Sequence, residues 1–400
     1  MKLKLAVLFG GKSVEHEISV ITALQAAAAL DREKYDVLPV YITKDNAFYI
    51  GESVGNIEAY KDIAALLKQS RQVIPARLDG KAVLLRHPAK AFGNNILAEL
   101  DCALPVVHGT NTEDGTLQGL LRLLGVPFAG CDVTASALGM DKFAQKCVFK
   151  SAGIPVLDCV MLQASAYDLE PEVVITRAET LGYPVIVKPV NLGSSVGISK
   201  ADDREGLEKA LELAFRFASR VLVEPAVQNL REINCAVLGD ADAARASVCE
   251  EPLNADEILS YENKYMSGGK TGKTGMKSAP AAGSKGMASL DRKIPAELPD
   301  GLAAKIQALA VKAFQALDCS GTARIDFLMD AKTGEVWLNE INTIPGSLSF
   351  YLWEPSGLPY PALLDEMIRL AFARQRAQED LLFTFDTNVL ANAKLGGTKK

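Results

Sequence analysis

Hydrophobic and polar stretches alternate along the start of the chain in lengths that predict a strand and a helix in turn. The apolar run at residues 3–9 predicts a buried strand that ends in the turn Gly10-Gly11. An amphipathic helix is expected from about Ser19 to Leu30, and a second strand over Tyr35–Thr43. This order of strand, turn, helix and strand is typical of a parallel sheet covered by helices, and therefore of the α/β class.

Later segments predict two more domains after a first domain at residues 1–140. The strand Asp101–His108 and a helix from about Gly115 to Leu124 complete the first domain. We expect a central α+β domain at residues 141–225 and a C-terminal domain at 226–378. The expected helices are Ser136–Ala152, Glu205–Ser219, Leu302–Leu317 and Tyr360–Gln375, and the expected strands are Val185–Lys188, Val196–Ser199, Val221–Glu224, Glu232–Leu238, Thr322–Met329 and Glu335–Ile341.

Two stretches have no hydrophobic period. Residues 266–289 are dominated by Gly, Lys, Ser, Thr and Ala, which predicts a flexible insertion. Residues 379–400 predict a flexible tail.

Composition excludes several classes of protein. With 48% hydrophobic residues, the 400-residue chain can form packed cores, and its net charge of -6 argues against nucleic acid as the partner. No segment approaches the ~20 apolar residues of a membrane span, and the first nine residues lack the features of a signal peptide. The seven cysteines are scattered without a CxxC pair, which predicts reduced thiols. We therefore expect a cytoplasmic protein that binds neither a membrane nor nucleic acid.

Two glycine-containing loops are candidate phosphate sites. Residues 6–13 match the GxxxxGK[ST] loop except that Ala6 replaces the first glycine, and the carboxylates of Glu15 and Glu17 would repel a polyphosphate. Glu15 suits an ammonium group, with capping of the next helix as the alternative.

Lys188, together with the loop at residues 193–197, offers a cation and unencumbered backbone donors. This pattern favours a triphosphate site, with a plain hairpin turn as the alternative.

The pattern near the C-terminus is typical of a magnesium site. Arg324 and Asp326 share one face of a predicted strand, as do Glu340 and Asn342 on another, because strand side chains alternate with period two. Pairing of these strands would join oxygen ligands that suit Mg²⁺, with Arg324 placed to stabilise a phosphoryl group or an oxyanion. The alternative is a solvated strand face with ordinary ion pairs. The turn that ends in Gly346 adds backbone N–H groups beside this face.

The segment at residues 108–115 lies between a predicted strand and a predicted helix, where α/β folds place ligand sites. His108 is a candidate site residue there, with a histidine satisfied inside the core as the alternative. The chain has only three histidines, which leaves little material for a His-rich metal site.

Taken together and in order, these motifs resemble D-alanine–D-alanine ligases of the ATP-grasp superfamily from about Lys4 to Ala373. The matching segments are LFGGKSVEHEIS, PVVHGTNTEDGTLQG, GMDK, YPVIVKPVNLGSSVGISK, VLVEPAV, YENKY, CSGTARIDF and NEINTIPG. The resemblance implies an ATP-grasp fold of α/β and α+β parts. It has an N-terminal Rossmann-like parallel-sheet domain, a small central domain, and a C-terminal domain that carries a lid.

The resemblance also implies a role for particular residues. Glu15 would receive the first substrate's ammonium with His108 and Glu113 beside it, and Ser194 and Tyr265 would link with Glu15 to close the site. The residues implied for ATP are Lys142, Lys188, Ser194, Ser195, Glu224, Ala226, Val227, Glu232 and Lys264. Those implied for Mg²⁺ are Asp326, Glu340 and Asn342, with Arg324 and the Gly346 amide stabilising the tetrahedral intermediate.

The resemblance implies a reaction that needs ATP and Mg²⁺, with two ions expected, for which Mn²⁺ can substitute. It also implies a homodimer, which is common in the family. ATP phosphorylates the first D-alanine's carboxylate, and the amine of the second D-alanine then displaces phosphate. The product is the dipeptide used for peptidoglycan.

The chain departs from the family where the second substrate's carboxylate should bind. The usual Thr-Ser-x-Ser run is replaced by residues 347–352, so that Ser347, Ser349 or Tyr351 would have to supply a hydroxyl. Ligases making D-alanine–D-serine or D-alanine–D-lactate are therefore alternatives, although lactate-type relatives tend to carry histidine at Tyr265. A non-catalytic ATP-binding module and a P-loop kinase are more distant alternatives.

Overall fold

The computed structural model describes residues 2–253, 292–384 and 387–388. Lys264, Tyr265, the insertion expected at 266–289 and most of the expected tail lie outside these residues. The strands are β1 Leu3–Gly10, β2 Tyr35–Ile42, β3 Phe48–Ile50, β4 Arg71–Leu78, β5 Lys81–Arg86, β6 Ile96–Leu100, β7 Cys102–Pro105, β8 Val160–Gln163, β9 Val185–Pro189, β10 Ser199–Ala201, β11 Arg220–Pro225, β12 Leu230–Gly239, β13 Ala244–Pro252, β14 Arg292–Lys293, β15 Gly321–Asp330 and β16 Val336–Asn342. The helices are α1 His16–Ala29, α2 Ile63–Gln69, α3 Thr116–Leu123, α4 Val133–Met140, α5 Lys142–Ser151, α6 Ala164–Leu169, α7 Pro171–Glu179, α8 Arg204–Phe215, α9 Leu302–Ala316, α10 Phe350–Trp353 and α11 Tyr360–Glu379.

The first sheet contains the parallel strands that the apolar runs predicted. Its order is β6-β5-β4-β3-β2-β1-β7, and β1 pairs in parallel with both β2 and β7. The strands β3 to β6 extend it as an antiparallel meander. The sequence did not predict these strands because β4 and β6 bury few side chains fully and have no continuous apolar run.

The second sheet has the order β10-β9-β11-β8, with every pair antiparallel. The expected strand Val196–Ser199 is corrected, because β10 begins only at Ser199 and the residues before it form a turn.

The expected helix Ser136–Ala152 is two helices, which meet at Asp141. The Oδ1 atom of Asp141 accepts hydrogen bonds from the backbone N–H groups of Phe143 (3.1 Å) and Ala144 (2.8 Å). Asp141 has an extended backbone, so α4 ends there and this N-cap begins α5.

The third sheet has the order β14-β13-β12-β15-β16. The antiparallel register of β15 and β16 places Asp326 opposite Glu340 and Arg324 opposite Asn342, with an irregularity directly after Asp326. Buried side chains of β12, β15, β16 and α9 form one hydrophobic core beneath this sheet.

The N-terminal and C-terminal parts of the chain share a second core. It joins residues between Leu5 and Ala129 to residues between Ile344 and Ala371. At its edge the hydroxyl of Tyr35 donates to Asp365 (2.8 Å). This shared core fixes the turn after β16 against α1, and so assembles the site described below from distant parts of the chain.

Across the residues that the structure describes, every helix is too short or too polar to cross a membrane. All seven cysteines lie within these residues, and each has a free thiol.

Candidate active site

The predicted acidic face is present where β15 and β16 pair. Arg324 donates to both carboxylate oxygens of Asp326, from Nε at 2.7 Å and from Nη2 at 2.7 Å. The side-chain amide of Asn342 donates to Asp326 Oδ2 (2.9 Å). The alternative of a solvated strand face is excluded, because the Arg324 and Asp326 side chains are only 12% and 15% exposed.

Glu340, opposite Asp326, is tied to α5. Its carboxylate lies 3.0 Å from the ammonium of Lys142, which also donates to the carbonyl of Leu192 (2.7 Å). Burial by itself would raise the pKa of Glu340, but Lys142 and Lys188 outweigh it and lower the pKa to about 2. Glu340 is therefore a carboxylate at any pH at which the protein works.

The donor atoms on this face suit a hard divalent cation. Asp326 and Glu340 supply carboxylate oxygens and Asn342 an amide oxygen, which are the ligand types that Mg²⁺ prefers. Within the described part of the chain, no group of three or more His, Cys, Asp or Glu side chains could hold a metal ion. Any cation here would therefore depend on Asn342 and on phosphate oxygens as well as on the two carboxylates.

Next to this face lies a group of three buried charges that we call the lysine cluster: Lys146, Lys188 and Glu224. Lys188 donates to Glu224 Oε1 and to the Asn339 side chain, the latter at 3.0 Å. Lys146 Nζ lies 3.0 Å from Glu224 Oε2, as an ion pair rather than a well-aligned hydrogen bond. The structure therefore supplies cations beside the acidic face, where the sequence predicted the triphosphate.

The other residues implied for ATP follow Glu224 or belong to the next strand. The backbone N–H of Ala226 donates to Pro184 (2.9 Å), and Val227 is partly buried in the connection before β12. Glu232 lies on β12, paired opposite Leu328 of β15. These contacts place the segment beside β9 and β15. They do not show which of its atoms would contact the adenine of ATP.

The loop between β9 and β10 contacts N-terminal residues through two hydroxyl groups. The Thr110 hydroxyl donates to the Asn191 carbonyl (2.7 Å). Ser194 Oγ donates to Glu15 Oε1, and both Ser194 and Ser195 have positive φ values, 53° and 59°. A side chain at Gly193 would place its Cβ 2.6 Å from Glu15 Oε2. The segment is a hairpin connection, as the alternative proposed, but it also closes over Glu15.

Glu15 does not cap α1 through its side chain. A Cβ at Gly109 would lie 2.9 Å from Glu15 Oε2, so the carboxylate sits between two glycines, Gly109 and Gly193. Glu15 is nevertheless the N-cap residue of α1, where the helix dipole favours its charge, so its position fits the capping alternative as well as a ligand site.

His108 and Glu113 join the N-terminal unit to the turn after β16. The ring nitrogens of His108 contact the Ile344 carbonyl (2.9 Å) and the Thr22 hydroxyl (3.1 Å). Glu113 accepts from the Ile344 N–H (2.8 Å) and the Gly109 N–H (3.1 Å). Burial lowers the pKa of His108 to about 4, and burial together with the Glu15 carboxylate raises the pKa of Glu113 to about 7. His108 is thus a satisfied buried histidine, as the alternative proposed.

The turn after Gly346 has an unusual backbone. Ser347, Leu348 and Ser349 all have positive φ values, 52°, 49° and 53°. The Ser347 hydroxyl donates to Gln25 (2.9 Å), whereas the Ser349 hydroxyl is buried without a hydrogen-bond partner in the described part of the chain. Three non-glycine residues in the left-handed region are held there by the surrounding structure.

Tyr351 belongs to a group that we call the Tyr351 cluster: Asn234, Glu250, Arg292 and Tyr351. Glu250 accepts from the Arg292 guanidinium (2.7 Å), the Asn234 amide (3.1 Å) and the Tyr351 hydroxyl (3.3 Å). The guanidinium carbon of Arg292 also lies 4.2 Å from the centre of the Tyr351 ring. The hydroxyl of Tyr351 therefore donates its hydrogen to Glu250, another side chain of the protein.

Several of these partners were not predicted from the sequence. Lys146 could have been found, because it lies four residues after Lys142 and so on the same face of one helix. Gln25, Glu250 and Arg292 carry no comparable signal, since each reaches the site only through strand or core packing.

The glycines of the P-loop alternative have another explanation. A Cβ at Gly10 would lie 2.2 Å from the Ile42 carbonyl oxygen, and one at Gly11 would lie 2.2 Å from the Thr112 methyl group. Close packing therefore requires glycine at both positions, and no phosphate is needed to explain them.

Comparison with known proteins agrees with this geometry. Residues 4–131 match the family described as D-ala D-ala ligase N-terminus, and residues 148–369 match D-ala D-ala ligase C-terminus. The D-alanine--D-alanine ligase of a Thermoanaerobacter species is 42% identical over 375 residues, which cover 92% of this chain and 96% of the relative.

Two solved structures are similar as well. The D-alanine-D-alanine ligase from Coxiella burnetii matches with a TM-score of 0.77 and 32% identity over 94% of this chain and 96% of that one. The VanG D-Ala:D-Ser ligase from Enterococcus faecalis matches with a TM-score of 0.75 and 31% identity over 93% of this chain and 100% of that one. The fold is the ATP-grasp fold. The chain belongs to the D-alanine–D-alanine ligase family, which confirms the resemblance seen in its motifs.

Proposed function

We propose that this enzyme joins two D-alanines into D-alanyl-D-alanine for peptidoglycan, with hydrolysis of ATP to ADP and phosphate. The observation that carries the proposal is that the lysine cluster adjoins the acidic face of β15 and β16. Lys142 links α5 to Glu340, and Lys188 links β9 to β16 through Asn339. Membership of a family of ATP-dependent ligases supports the same reaction.

In the first step, a carboxylate oxygen of the first D-alanine attacks the γ-phosphorus of ATP, and ADP leaves. Glu15 would hold the ammonium of this D-alanine, since its carboxylate lies between the loops that contain Gly109 and Gly193. Lys142 and Lys188 would spread the charge of the transferring phosphoryl group. Lys264 is proposed from its motif alone.

In the second step, the amine of the second D-alanine attacks the acyl-phosphate carbonyl, and phosphate leaves with the bonding electron pair. Arg324 and the Gly346 amide would stabilise the oxyanion of the tetrahedral intermediate. The link from Ser194 to Glu15, together with Tyr265, would close the site and exclude the water that hydrolyses acyl phosphates.

A divalent cation, proposed as Mg²⁺ with Mn²⁺ as a substitute, would be held by Asp326, Glu340 and Asn342. When bound it would neutralise charge on the ATP phosphates. The same proposal explains why two carboxylates face each other across β15 and β16.

The second substrate is proposed to be D-alanine, which attacks through an amine. Of the three candidate hydroxyls, those of Ser347 and Tyr351 already donate to Gln25 and Glu250. Ser349 is therefore the proposed hydroxyl donor to the second carboxylate. We further propose a cytoplasmic homodimer, in which the domains at 141–225 and 226–378 hold ATP between them.

The reaction is tested by incubating the purified protein with ATP, Mg²⁺ and D-alanine. We expect phosphate release together with D-Ala-D-Ala detected by mass spectrometry. An absence of dipeptide in protein that still binds ATP would refute the proposal.

Competition identifies the second substrate. With D-alanine, D-serine and D-lactate at equal concentrations and neutral pH, D-Ala-D-Ala should predominate. A majority of depsipeptide would overturn the amine assignment. A majority of D-Ala-D-Ser would place the error in residues 347–352.

A further inference from the structure

The lysine cluster has two ammonium groups and only one carboxylate, so its charges do not cancel. The side chains of Lys146, Lys188 and Glu224 are only 3%, 5% and 2% exposed. Each ammonium takes a different oxygen of the one carboxylate. Two positive charges and one negative charge therefore leave one net positive charge in a place with little water to screen it.

The excess charge is directed toward the acidic face. Besides Glu224, Lys188 contacts Asn339, the residue directly before Glu340 on β16. Lys146 is paired with the other carboxylate oxygen of Glu224, Oε2. If Lys146 were absent, Glu224 and Lys188 would form a neutral pair, and the cluster would present no net charge to a phosphate.

We propose that Lys146 is a positioning residue that neutralises Glu224, and thereby leaves the positive charge of Lys188 available to the phosphates of ATP. The inference rests on the proposed function and deepens it. It assigns a role in the ATP site to a side chain that the family motifs quoted above do not include.

The helix that carries Lys146 contains its own matched control. Lys142, Lys146 and Lys150 occur at intervals of four residues on α5, so they lie along one side of the helix. Lys150 is 71% exposed and pairs with Asp158 at the surface (2.9 Å). Lys150→Met thus removes the same charge from the same helix without touching the cluster.

The test measures binding of ATP in the presence of Mg²⁺ by calorimetry, together with steady-state kinetics. In Lys146→Met we expect Kd and KM for ATP to rise by at least ~10-fold, because a neighbouring unit charge in a poorly screened site is lost. KM for D-alanine and kcat should change by less than about 3-fold, because Lys146 does not contact D-alanine or the reacting atoms in this proposal. Lys146→Arg should restore most of the affinity, and Lys150→Met should behave as the wild type.

Replacing the shared carboxylate as well sharpens the test. In a Glu224→Gln background no carboxylate is left for Lys146 to neutralise, so adding Lys146→Met should change Kd for ATP by less than about 3-fold, by the logic of a double-mutant cycle. This comparison cancels any contact of Glu224 itself with ATP, and it also serves if Lys146→Met alone does not fold. A folded double variant that binds ATP more than ~10-fold more weakly than Glu224→Gln would overturn the inference.

Lys188→Met separates this inference from the proposed function. If Lys188→Met weakens ATP binding and a folded Lys146→Met does not, then only the role of Lys146 is refuted. If neither variant alters ATP binding, then the assignment of the ATP site itself is refuted.

Discussion

The lysine cluster and the Tyr351 cluster differ in how their charges balance. In the lysine cluster two ammonium groups share one carboxylate, so a positive charge is left over. In the Tyr351 cluster one guanidinium faces one carboxylate, and two neutral donors complete the hydrogen bonds of Glu250. The first is incomplete without an anion, whereas the second is complete by itself.

The difference indicates which substitutions should affect chemistry and which should affect folding. A group whose charges are satisfied internally contributes mainly to the stability of the folded state. A group with charge in excess contributes to binding, at some cost to stability. If a substitution in the Tyr351 cluster mainly reduced activity, or one beside the lysine cluster mainly reduced stability, this distinction between the two clusters would be wrong.

The largest effect is expected at Arg292. Arg292→Met leaves the buried carboxylate of Glu250 without its cation and should reduce the free energy of unfolding by about 3–5 kcal/mol, as measured by urea denaturation. Tyr351→Phe is the matched control. It removes one hydroxyl donor to the same carboxylate and should cost only about 1 kcal/mol. Equal losses in the two variants would show that the ion pair does not hold this cluster together.

Glu340→Gln should affect catalysis instead. The change keeps the shape of the side chain but removes its charge from the acidic face, so kcat should fall by about 10²–10³-fold, or about 2.7–4 kcal/mol in the barrier. The free energy of unfolding should fall by less than in Arg292→Met, because the Glu340 side chain is 24% exposed and Lys142 keeps its hydrogen bond to the Leu192 carbonyl. Glu335→Gln is the control, because Glu335 lies exposed just before the same strand. Near-wild-type turnover of Glu340→Gln at saturating Mg²⁺ would refute the metal assignment.

Glu113, which joins the N-terminal unit to the turn after β16, should make stability depend on pH. Its pKa is raised from 4.5 to about 7 by burial and by Glu15. Between these values the unfolded chain has released its proton while the folded protein retains it, so this contribution to stability is lost as pH rises. The loss amounts to about 3 kcal/mol at most.

Urea denaturation of the wild type and Glu113→Gln at pH values from 5 to 8 isolates this contribution. Relative to the variant, the wild type should be most stable at the acidic end. A constant difference across the range would mean that Glu113 ionises normally in the folded protein. Glu58→Gln, at an exposed surface position, should change nothing.

The sequence by itself determined the local part of the site. Alternation along a strand places Arg324 with Asp326, and Glu340 with Asn342, on one face each, because the side-chain period of a strand is two. The helical period places Lys142 and Lys146 together in the same way. The motifs also identified the family, since their order along the chain is preserved.

Only the tertiary structure decided which of these faces meet. Asp326 stands opposite Glu340 because of the register of β15 and β16, which no local pattern specifies. His108 reaches Ile344 through a hydrophobic core formed from residues more than two hundred positions apart in the chain.

The second-substrate region is the clearest case of this limit. The hydroxyl of Tyr351 could donate to a ligand only if no side chain of the protein already accepted from it. Glu250 does accept from it, although Glu250 belongs to a strand about a hundred residues away in the sequence. Residue type sets what each group can donate or accept. The path of the chain decides whether another side chain already forms that hydrogen bond, because contacts between distant segments follow from packing of the whole core.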